Sequence, residues 1–512
     1  MLLNYLNRIA PYYVENHVFY RVHEGKTHGI DFSGNDTQIS KVRMIIAPDS
    51  SSSEFDVHYD MYNHEIDVLV IDHHEADKVS EYACVINNQL CDYPTKSLSG
   101  VGMVYKFCKY IDTQLGQDIA DDYLDLVALG LIGDMMDMRD IETHYLTMRG
   151  LQNLRNPFMK TMANIQEFMI SKHGGLSPYT VAFYMVPFIN AATRVGTIEE
   201  KFLVFNSLLE YKAYDQVPST KRGCKGQVET IVAQACRTCI NTIKNRQTKS
   251  QEASIDLIER LIVQENLLSH KILIVRLEKK YAIDTNLTGL VANKFASEYK
   301  RPTLILNQKR KVISEDSDLE YDVWEGSGRG VNESSFTDFR AFLDDSKYFY
   351  LAQGHANAFG AGICANNIEK FIEWSDKQLK NVEFSPSYKI DFCYEQNEIL
   401  SEEILDLASY ETLWNSQNID EPLVCIENIP ITKSNILLQG KDKNTIKITL
   451  PNGIEVIKFG ASEEEFDNLY TEMGCVNIRV IGTCHRNIWN GKITPQIQIK
   501  DYEVIGKTAY YF

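Results

Sequence analysis

A carboxylate and two imidazoles follow a short apolar run directly and could together bind a metal ion. Asp72, His73 and His74 come after residues 68–71, whose sequence is Val-Leu-Val-Ile. A run this short and this rich in β-branched residues is typical of a buried parallel strand, and functional groups collect beyond the carboxyl ends of such strands. Three metal-binding side chains are costly to hold there without a cation. The triplet therefore predicts a metal site, with solvated polar residues in a loop as the alternative.

Two further elements of the N-terminal region end in an acidic residue. The apolar segment 44–48 precedes Asp49, and a helical apolar pattern over residues 124–131 ends shortly before Asp134. A single Asp after a strand is usually a turn residue or a helix cap. Its repetition near two histidines favours a site for Mn²⁺ or Mg²⁺, because these ions bind carboxylate oxygens and some imidazole and often act in pairs on phosphoryl groups.

These residues resemble the motifs of the DHH phosphoesterase superfamily. Asp72-His73-His74 is similar to its defining triplet, and Asp49 and Asp134 fall where its second and fourth acidic motifs are expected. Later segments narrow the resemblance to RecJ-type single-strand exonucleases. They are Phe-Ile-Asn-Ala-Ala-Thr-Arg at 188–194, Gly-Ser-Gly-Arg at 326–329 and the Gly-His motif within 353–360.

The chain departs from the family pattern at several positions. Phe188, Thr193 and Gln353 replace residues that are Arg, Gly and Gly in the family, which could shift substrate preference. The family's first motif, an Asp-x-Asp-x-Asp-Gly run after the first strand, should precede the helical pattern of residues 2–9, and Asp31 comes too late to replace it. We therefore expect an upstream in-frame segment or a separate polypeptide to supply that strand and its acidic motif.

The resemblance implies catalytic and metal-binding roles for five residues. Asp49, His73 and Asp134 would be metal ligands in a site that holds two Mn²⁺ or Mg²⁺ ions when complete. Asp72 would orient His73, because a ligating imidazole usually has its other nitrogen held by an acceptor. His74 would contact the phosphate or a second metal ion. Asp72, His73 and His74 are thus the expected catalytic residues.

Substrate-binding residues are expected elsewhere in the chain, at Asn190, Arg194, Ser327, Arg329, Gly354, His355 and Trp489. Arg194 and Arg329 suit bidentate recognition of a terminal 5′-phosphate one nucleotide from the metals. Gly354 lets the backbone approach a phosphate closely, and His355 can donate a hydrogen bond to it. Such an anchor would make the protein an exonuclease. Isolated glycines and arginines are more often turns and surface charges.

Composition limits the class of protein. A chain of 512 residues calls for two or three domains, and no apolar run approaches the roughly 18–20 residues of a membrane span. The first residues lack the basic and then apolar layout of a signal peptide. The eleven cysteines have no spacing typical of a disulfide framework, which indicates a reducing compartment. We therefore expect a cytoplasmic protein. The net charge of −18 argues against a nonspecific nucleic-acid coat, but a local basic groove can still bind phosphates.

The organisation predicted is α/β, with two α/β lobes joined by a helical linker and followed by a β-barrel. Residues 1–150 form the expected DHH domain, 151–176 the linker and 177–385 the substrate-binding lobe that the family calls DHHA1. The short strands of residues 388–512 resemble the OB-fold of RecJ-type enzymes. OB-folds stack bases on aromatic side chains, a role open to Trp489, although packing at the end of the barrel explains that residue equally well.

Three functions are compatible with these features. The leading hypothesis is a metal-dependent 5′→3′ exonuclease that hydrolyses single-stranded DNA in recombination, repair or phage DNA metabolism, with a single-stranded-DNA-binding protein or a helicase as partner and no membrane. The lack of the first acidic motif supports a second hypothesis, a catalytically impaired paralogue that binds strands without cutting them. A third is a DHH phosphodiesterase for short oligonucleotides, which an OB-fold argues against because short substrates need no extended platform.

Overall fold

A computed structural model describes residues 1–23, 29–30, 41–312, 320–331, 336–384, 387–411, 420–440, 443–489 and 491–509. The chain divides into two compact units. Unit 1 comprises Met1–Asn190, Thr197–Cys239 and Lys389–Phe512, and unit 2 comprises Ala191–Gly196 and Ile240–Tyr388. The domain boundaries expected from the sequence stay a prediction. Within the described ranges, no helix combines the length and the hydrophobicity that a membrane span requires.

The α-helices are, in chain order, α1 (Leu2–Ile9), α2 (Pro11–His17), α3 (Phe55–Asn63), α4 (Gly100–Leu115), α5 (Leu124–Gly133), α6 (Ile141–Leu151), α7 (Pro157–Ile165), α8 (Glu167–Lys172), α9 (Pro178–Tyr184), α10 (Val186–Val195), α11 (Ile198–Leu208), α12 (Ile231–Thr238), α13 (Lys244–Gln264), α14 (Thr288–Tyr299), α15 (Phe339–Ser346), α16 (Ile368–Gln378), α17 (Ser401–Ser409) and α18 (Glu463–Leu469). A π-helical turn, Cys239–Ile243, joins α12 to α13. Cys236 and Cys239, the CxxC pair of this region, are buried free thiols.

The strands are, in chain order, β1 (Met44–Pro48), β2 (Asp67–Asp72), β3 (Cys84–Asn87), β4 (Gln216–Pro218), β5 (Val228–Thr230), β6 (Leu273–Leu277), β7 (Thr303–Val312), β8 (Glu320–Arg329), β9 (Phe349–His355), β10 (Ala358–Cys364), β11 (Phe392–Glu395), β12 (Leu423–Ile431), β13 (Ile436–Gln439), β14 (Thr445–Thr449), β15 (Glu455–Phe459), β16 (Gly474–Trp489) and β17 (Lys492–Ala509). The strands predicted at 44–48 and 68–71 and the helix that ends before Asp134 are confirmed.

The N-terminal part of unit 1 is built on the parallel sheet β1-β2-β3. Its strands are apolar because both faces are covered, and Ile71 packs with Leu98 of the loop before α4 and with Leu131 of α5 in one buried core. Ser99 occupies the N-cap position of α4, as its sequence suggests, but its hydroxyl makes no capping hydrogen bond. The helix is therefore held by its apolar face rather than by that cap.

Unit 2 contains a mixed sheet with the strand order β6-β7-β8-β10-β9. The C-terminal part of unit 1 contains a mixed seven-stranded sheet with the order β11-β12-β16-β17-β15-β14-β13 around a core of Val, Ile and Leu side chains. Residues 476–481 and 494–499 belong to one long hairpin of β16 and β17. Buried and less buried residues alternate through the middle of β16. The polar residues there therefore lie on the outer face of the strand and do not interrupt it.

Candidate metal centre and phosphate site

The strand register brings the first two acidic residues to one edge of the N-terminal sheet. Pro48 of β1 lies opposite Ile71 of β2, so Asp49 and Asp72 leave the sheet at the same end. The backbone N–H of Asp49 donates to the carbonyl of Ile71 at 2.9 Å. Asp49 has a φ of 63°, a left-handed conformation that turns the chain sharply after the strand.

Two carboxylates converge on the imidazole of His73. Its Nε2 lies 3.2 Å from Oδ1 of Asp49 and 3.2 Å from Oδ2 of Asp134. One imidazole nitrogen can donate only one hydrogen, so it cannot satisfy both oxygens. Ligands on adjacent corners of an octahedral ion that binds them at about 2.1 Å are separated by about 3 Å, and carboxylate with imidazole is a donor set suited to Mn²⁺ or Mg²⁺. Asp49, His73 and Asp134 therefore fit the metal site that the sequence predicts.

Asp72 lies beneath this cluster and accepts hydrogen bonds from three directions. Its carboxylate, only 1 % exposed, accepts from Nδ1 of His74 at 2.7 Å, from the backbone N–H of His73 at 2.8 Å and from that of Ser52 at 3.2 Å. The expectation that Asp72 orients the ring of His73 is wrong, since its ring partner is His74. Burial by itself would raise the pKa of Asp72, but the hydrogen bonds outweigh it and hold that pKa well below its usual range.

His74 lies beside the cluster and has a raised pKa. The hydrogen bond to Asp72 raises the pKa of His74 against the opposing effect of burial, and the charges of Asp72, Asp49 and Asp134 add to the rise. The His74 side chain is 62 % exposed. Its ring therefore faces solvent with Nδ1 occupied, which leaves Nε2 as the nitrogen that can reach a ligand.

Asn87, which ends the third strand, is a residue that the sequence analysis missed. Its side-chain amide donates to Oγ of Ser52 and to the backbone carbonyl of His74, both at 2.8 Å, and it lies opposite Asp72 in the register. It thereby joins the loops that follow β1 and β2. The signal was present, because Asn87 follows a short apolar strand in the same way as Asp49 does.

Gly100, the first residue of α4, leaves room for Asp49. A Cβ at this position would lie 2.1 Å from Oδ1 and 2.5 Å from Cβ of Asp49, so the whole side chain would have to move. We expect Gly100→Ala to reduce Mn²⁺ affinity and activity by about 10- to 100-fold, the range for residues that position ligands, although alanine favours the helix by about 1 kcal/mol. Metal titration by calorimetry checks this. Gly102→Ala in the same helix is the control, and equal metal affinity in the two variants would contradict the prediction.

Unit 2 holds the arginines predicted to bind phosphate. Arg194 is in the last turn of α10 and Arg329 ends β8. Burial lowers the pKa of both guanidinium groups, and the charge of Arg194 lowers the pKa of Arg329 further. Burial and Arg194 also lower the pKa of Lys244. Among the described residues, neither arginine forms an ion pair with a carboxylate, so the cluster is a candidate site for an anion.

The start of α14 adds hydrogen-bonding groups to this cluster. The guanidinium of Arg329 packs against Gly289, where a Cβ would meet its Nη2 at 2.5 Å. The hydroxyls of Ser327 and Thr288 lie 2.8 Å apart. A helix N-terminus beside an arginine and two hydroxyls is a favourable environment for a phosphate. Ser327 and Arg329 thus both lie beside Gly289 at the start of α14.

His355 lies in the same row of the sheet as Arg329. Ala358 of β10 is opposite Arg329 on one side and opposite His355 on the other, so the three side chains project from one face. Gly354 has a φ of 134°, and a Cβ there would lie 2.8 Å from the carbonyl oxygen of Ala358. Only glycine therefore fits the hairpin that presents His355, which is exposed.

Two more of the predicted residues are Asn190 and Trp489. Asn190 is on α10, one turn before Arg194. Trp489 ends β16 with 62 % of its surface exposed, and a groove beside it is lined by Phe168 and Lys172 of α8. Phe168, 75 % exposed, was missed because an aromatic residue on a linker helix carries no signal in the sequence. Two exposed aromatic residues and a lysine that line one groove are an arrangement that suits bases and phosphates.

Comparisons with known proteins identify the family. The family model of the DHH family N-terminal domain matches residues 1–131, and that of the RecJ OB domain matches residues 417–501. A protein of Bacillus subtilis named as an SPbeta prophage-derived single-strand DNA-specific exonuclease, YorK, is 35% identical over 508 residues, which cover 99% of this chain and 84% of that protein.

More distant relatives have the same fold. The single-stranded-DNA-specific exonuclease RecJ of Bacillus subtilis is 23% identical over 86% of this chain and 51% of its own length. The crystal structure of RecJ from Thermus thermophilus in complex with Mn²⁺ superimposes with a TM-score of 0.64 at 17% identity, covering 91% of this chain and 62% of that one. The chain therefore belongs to the DHH phosphoesterases, and within them to the family of RecJ-type single-strand-DNA-specific exonucleases.

Proposed function

We propose that the protein is a metal-dependent exonuclease that hydrolyses single-stranded DNA in the 5′→3′ direction. The observation that carries the proposal is the convergence of Asp49 and Asp134 on Nε2 of His73, each at 3.2 Å. Family membership supports the choice of substrate, because relatives are named for their action on single-stranded DNA.

Asp49, His73 and Asp134 would hold Mn²⁺ or Mg²⁺. The ion would lower the pKa of a bound water and neutralise charge on the scissile phosphate. The half-exposed carboxylates of Asp49 and Asp134 leave the position open to substrate on the solvent side, whereas His73 is only 10 % exposed. The strand would therefore approach from the side of the two carboxylates.

His74 would bind the scissile phosphate. Asp72 holds its Nδ1 and favours the protonated ring, so Nε2–H can donate to a nonbridging oxygen. A positioned cationic donor of this kind stabilises the charge that develops as the phosphodiester bond breaks. Asp72 acts through His74 and is a positioning residue.

Arg194, Arg329 and Ser327 would anchor the terminal 5′-phosphate. The like charges of the two arginines repel each other in a partly buried site, and a dianionic phosphate would relieve that repulsion. Internal phosphates carry one charge and are flanked by sugars, so a site of this kind discriminates in favour of a chain end. Asn190, Gly354, His355 and Trp489 would contact the strand.

The proposal is tested with the full chain on a labelled 5′-phosphorylated single strand. We expect mononucleotides to be released in Mn²⁺ or Mg²⁺, no release in a chelator, and little action on a blunt duplex. Internal fragments as first products, or equal rates on duplex, would contradict an exonuclease of single strands. Tight strand binding without cleavage in either metal would favour the non-cutting alternative.

Arg329→Ala should weaken binding of 5′-phosphorylated ends more than binding of 5′-hydroxyl ends. Loss of a charge-assisted contact is worth about 1.5–3 kcal/mol, which is roughly a 10- to 100-fold loss of affinity. Anisotropy titration of both strands checks this, with Arg310→Ala as control because Arg310 is an exposed arginine of the same unit paired with Asp322. Equal losses on both kinds of end would show that Arg329 is not the anchor.

We also propose a location, a process and a partner for the enzyme. It would act in the cytoplasm, in recombination, repair or phage DNA metabolism, with a single-stranded-DNA-binding protein or a helicase as partner. The name of the 35% identical relative, which is prophage-derived, supports the phage context.

A further inference from the structure

The C-terminal sheet carries the sequence Cys-x-Glu twice, on neighbouring strands. Cys393 and Glu395 belong to β11, and Cys425 and Glu427 belong to β12. The two strands are parallel and in register, so Cys393 lies opposite Cys425 and Glu395 lies opposite Glu427. Since side chains alternate along a strand, all four project from the same face of the sheet.

Three of these side chains form a compact group of ligand atoms. A sulfur or carboxylate oxygen from each of Cys393, Cys425 and Glu427 lies within 4.8 Å of the others. Both thiols are free, and Sγ of Cys425 donates to Oε1 of Glu427 at 3.8 Å. A tetrahedral ion with metal–sulfur bonds of about 2.3 Å separates its sulfur ligands by about 3.8 Å, so small side-chain rotations complete the geometry.

The carboxylate of this group is held in place from behind. Nε of Arg479 donates to both oxygens of Glu427 at 2.7 Å, and Arg479 also pairs with Glu503 at 3.3 Å. Ligating carboxylates are commonly oriented by such outer hydrogen bonds. Two carboxylates, those of Glu427 and Glu503, pair with one guanidinium, and Glu395 lies opposite Glu427 in the register, so carboxylates outnumber the cationic side chain here.

Cys393 has no packing role that would explain it. Cys425 is buried in the sheet, as cysteines often are, but Cys393 is exposed on the edge strand β11. Its position lets an ion enter from solvent and be covered by Cys425 and Glu427 on the inner side.

We propose that Cys393, Cys425 and Glu427 form a site for a thiophilic divalent cation such as Zn²⁺, distinct from the oxygen-rich centre at His73. Glu395 or a water supplies the fourth ligand. Each thiol releases its proton to solvent as its metal–sulfur bond forms, and no electron is transferred. The ion ties the edge strand β11 to β12, which adds to the stability of the C-terminal domain. The inference does not depend on nuclease activity.

Cobalt titration of the full-length, metal-stripped protein tests the proposal, with a phosphine reductant present. Thiolate-to-cobalt charge-transfer absorption in the near ultraviolet reports sulfur ligands and is blind to cobalt bound by carboxylates and histidines. We expect this absorption in the wild type and in Cys91→Ser, a control at another exposed free cysteine. The Cys393→Ser variant should bind cobalt at least about tenfold more weakly than the wild type and should lose the charge-transfer absorption.

A thermal shift with Zn²⁺ gives a second readout that needs no catalysis. Zn²⁺ should raise the melting temperature of the wild type by mass action, and Cys393→Ser should lose that increment while keeping the wild-type circular dichroism. Cys393→His, which restores a zinc ligand, should recover it. The proposal is overturned by an absent thiolate band in the reduced wild type, by an equal band in Cys393→Ser, or by a protein whose Cys393 and Cys425 form a disulfide and bind no cobalt when reduced.

Discussion

Replacing Asp134 with alanine is expected to slow hydrolysis of single-stranded DNA by at least about a hundred- to a thousandfold, the range for loss of a group that organises transition-state charge. Asp134 contributes one of the two carboxylates that meet Nε2 of His73, and its removal leaves two of the three proposed metal ligands. The rate should be measured under single-turnover conditions with saturating Mn²⁺, so that a fall in substrate affinity is not mistaken for a fall in chemistry.

The fold should survive this change. The Asp134 side chain is about half exposed, and the preceding helix α5 is stabilised by buried residues such as Val127 and Leu131. Asp118→Ala is the matched control, because it removes an exposed carboxylate of the same unit that pairs with Lys109 at the surface. A rate within about twofold of the wild type for Asp134→Ala would exclude Asp134 from the metal centre.

The second large effect is expected for Asp72→Asn, which retains the shape of the side chain. Every neighbour of the Asp72 carboxylate is a donor, from the ring of His74 to the backbone N–H groups of His73 and Ser52. An amide has only one oxygen, so its NH₂ group must face another N–H in either orientation. We expect a loss of about 2–3 kcal/mol in the free energy of unfolding and about 10- to 100-fold in activity, because His74 loses its support.

The pH dependence distinguishes this cause from a general loss of packing. The folded-state pKa of Asp72 is depressed, so the stability that its ionised carboxylate contributes is present above the unfolded-state pKa of about 4. That contribution is lost as the pH falls through the folded-state pKa of Asp72. The pKa of His74 is raised, so the stability that its protonated ring contributes is fully present below about pH 6.5. That contribution is lost as the pH rises through the folded-state pKa of His74. The stability gap between wild type and Asp72→Asn should therefore be widest between these limits.

Denaturant unfolding at several pH values measures that gap, and Asp56→Asn, at an exposed carboxylate of α3, is the control. A gap that is independent of pH would mean that Asp72 stabilises by shape alone. In that case the low pKa of its carboxylate would have no part in positioning His74.

Residue types and spacing were sufficient to predict the strands and the helix that carry the candidate metal-binding residues. The apolar segments before Asp49 and Asp72 are short and β-branched, and burial on both faces of a parallel sheet requires such segments. Strand ends of one parallel sheet share an edge, so the convergence of their acidic residues follows from the pattern. The helix before Asp134 follows in the same way from its 3.6-residue apolar repeat.

Contacts between side chains distant in the sequence could not be read from any local pattern. That Asp72 holds His74 rather than His73 depends on which rotamers the turn after β2 allows, and that Gly100 makes room for Asp49 depends on how α4 packs on the sheet. That Phe168 and Trp489 line one groove, although more than 300 residues of sequence separate them, could likewise not be read from the sequence.

The sequence by itself determined the family and the elements that carry the candidate metal-binding residues, because local periodicity and motif spacing encode these. Only the tertiary structure decided the register of β11 on β12, which turns two separate Cys-x-Glu segments into one cluster of ligands. The physical reason is that a one-residue shift in strand pairing would reverse which face each side chain occupies, and that pairing is set by the packing of the whole sheet.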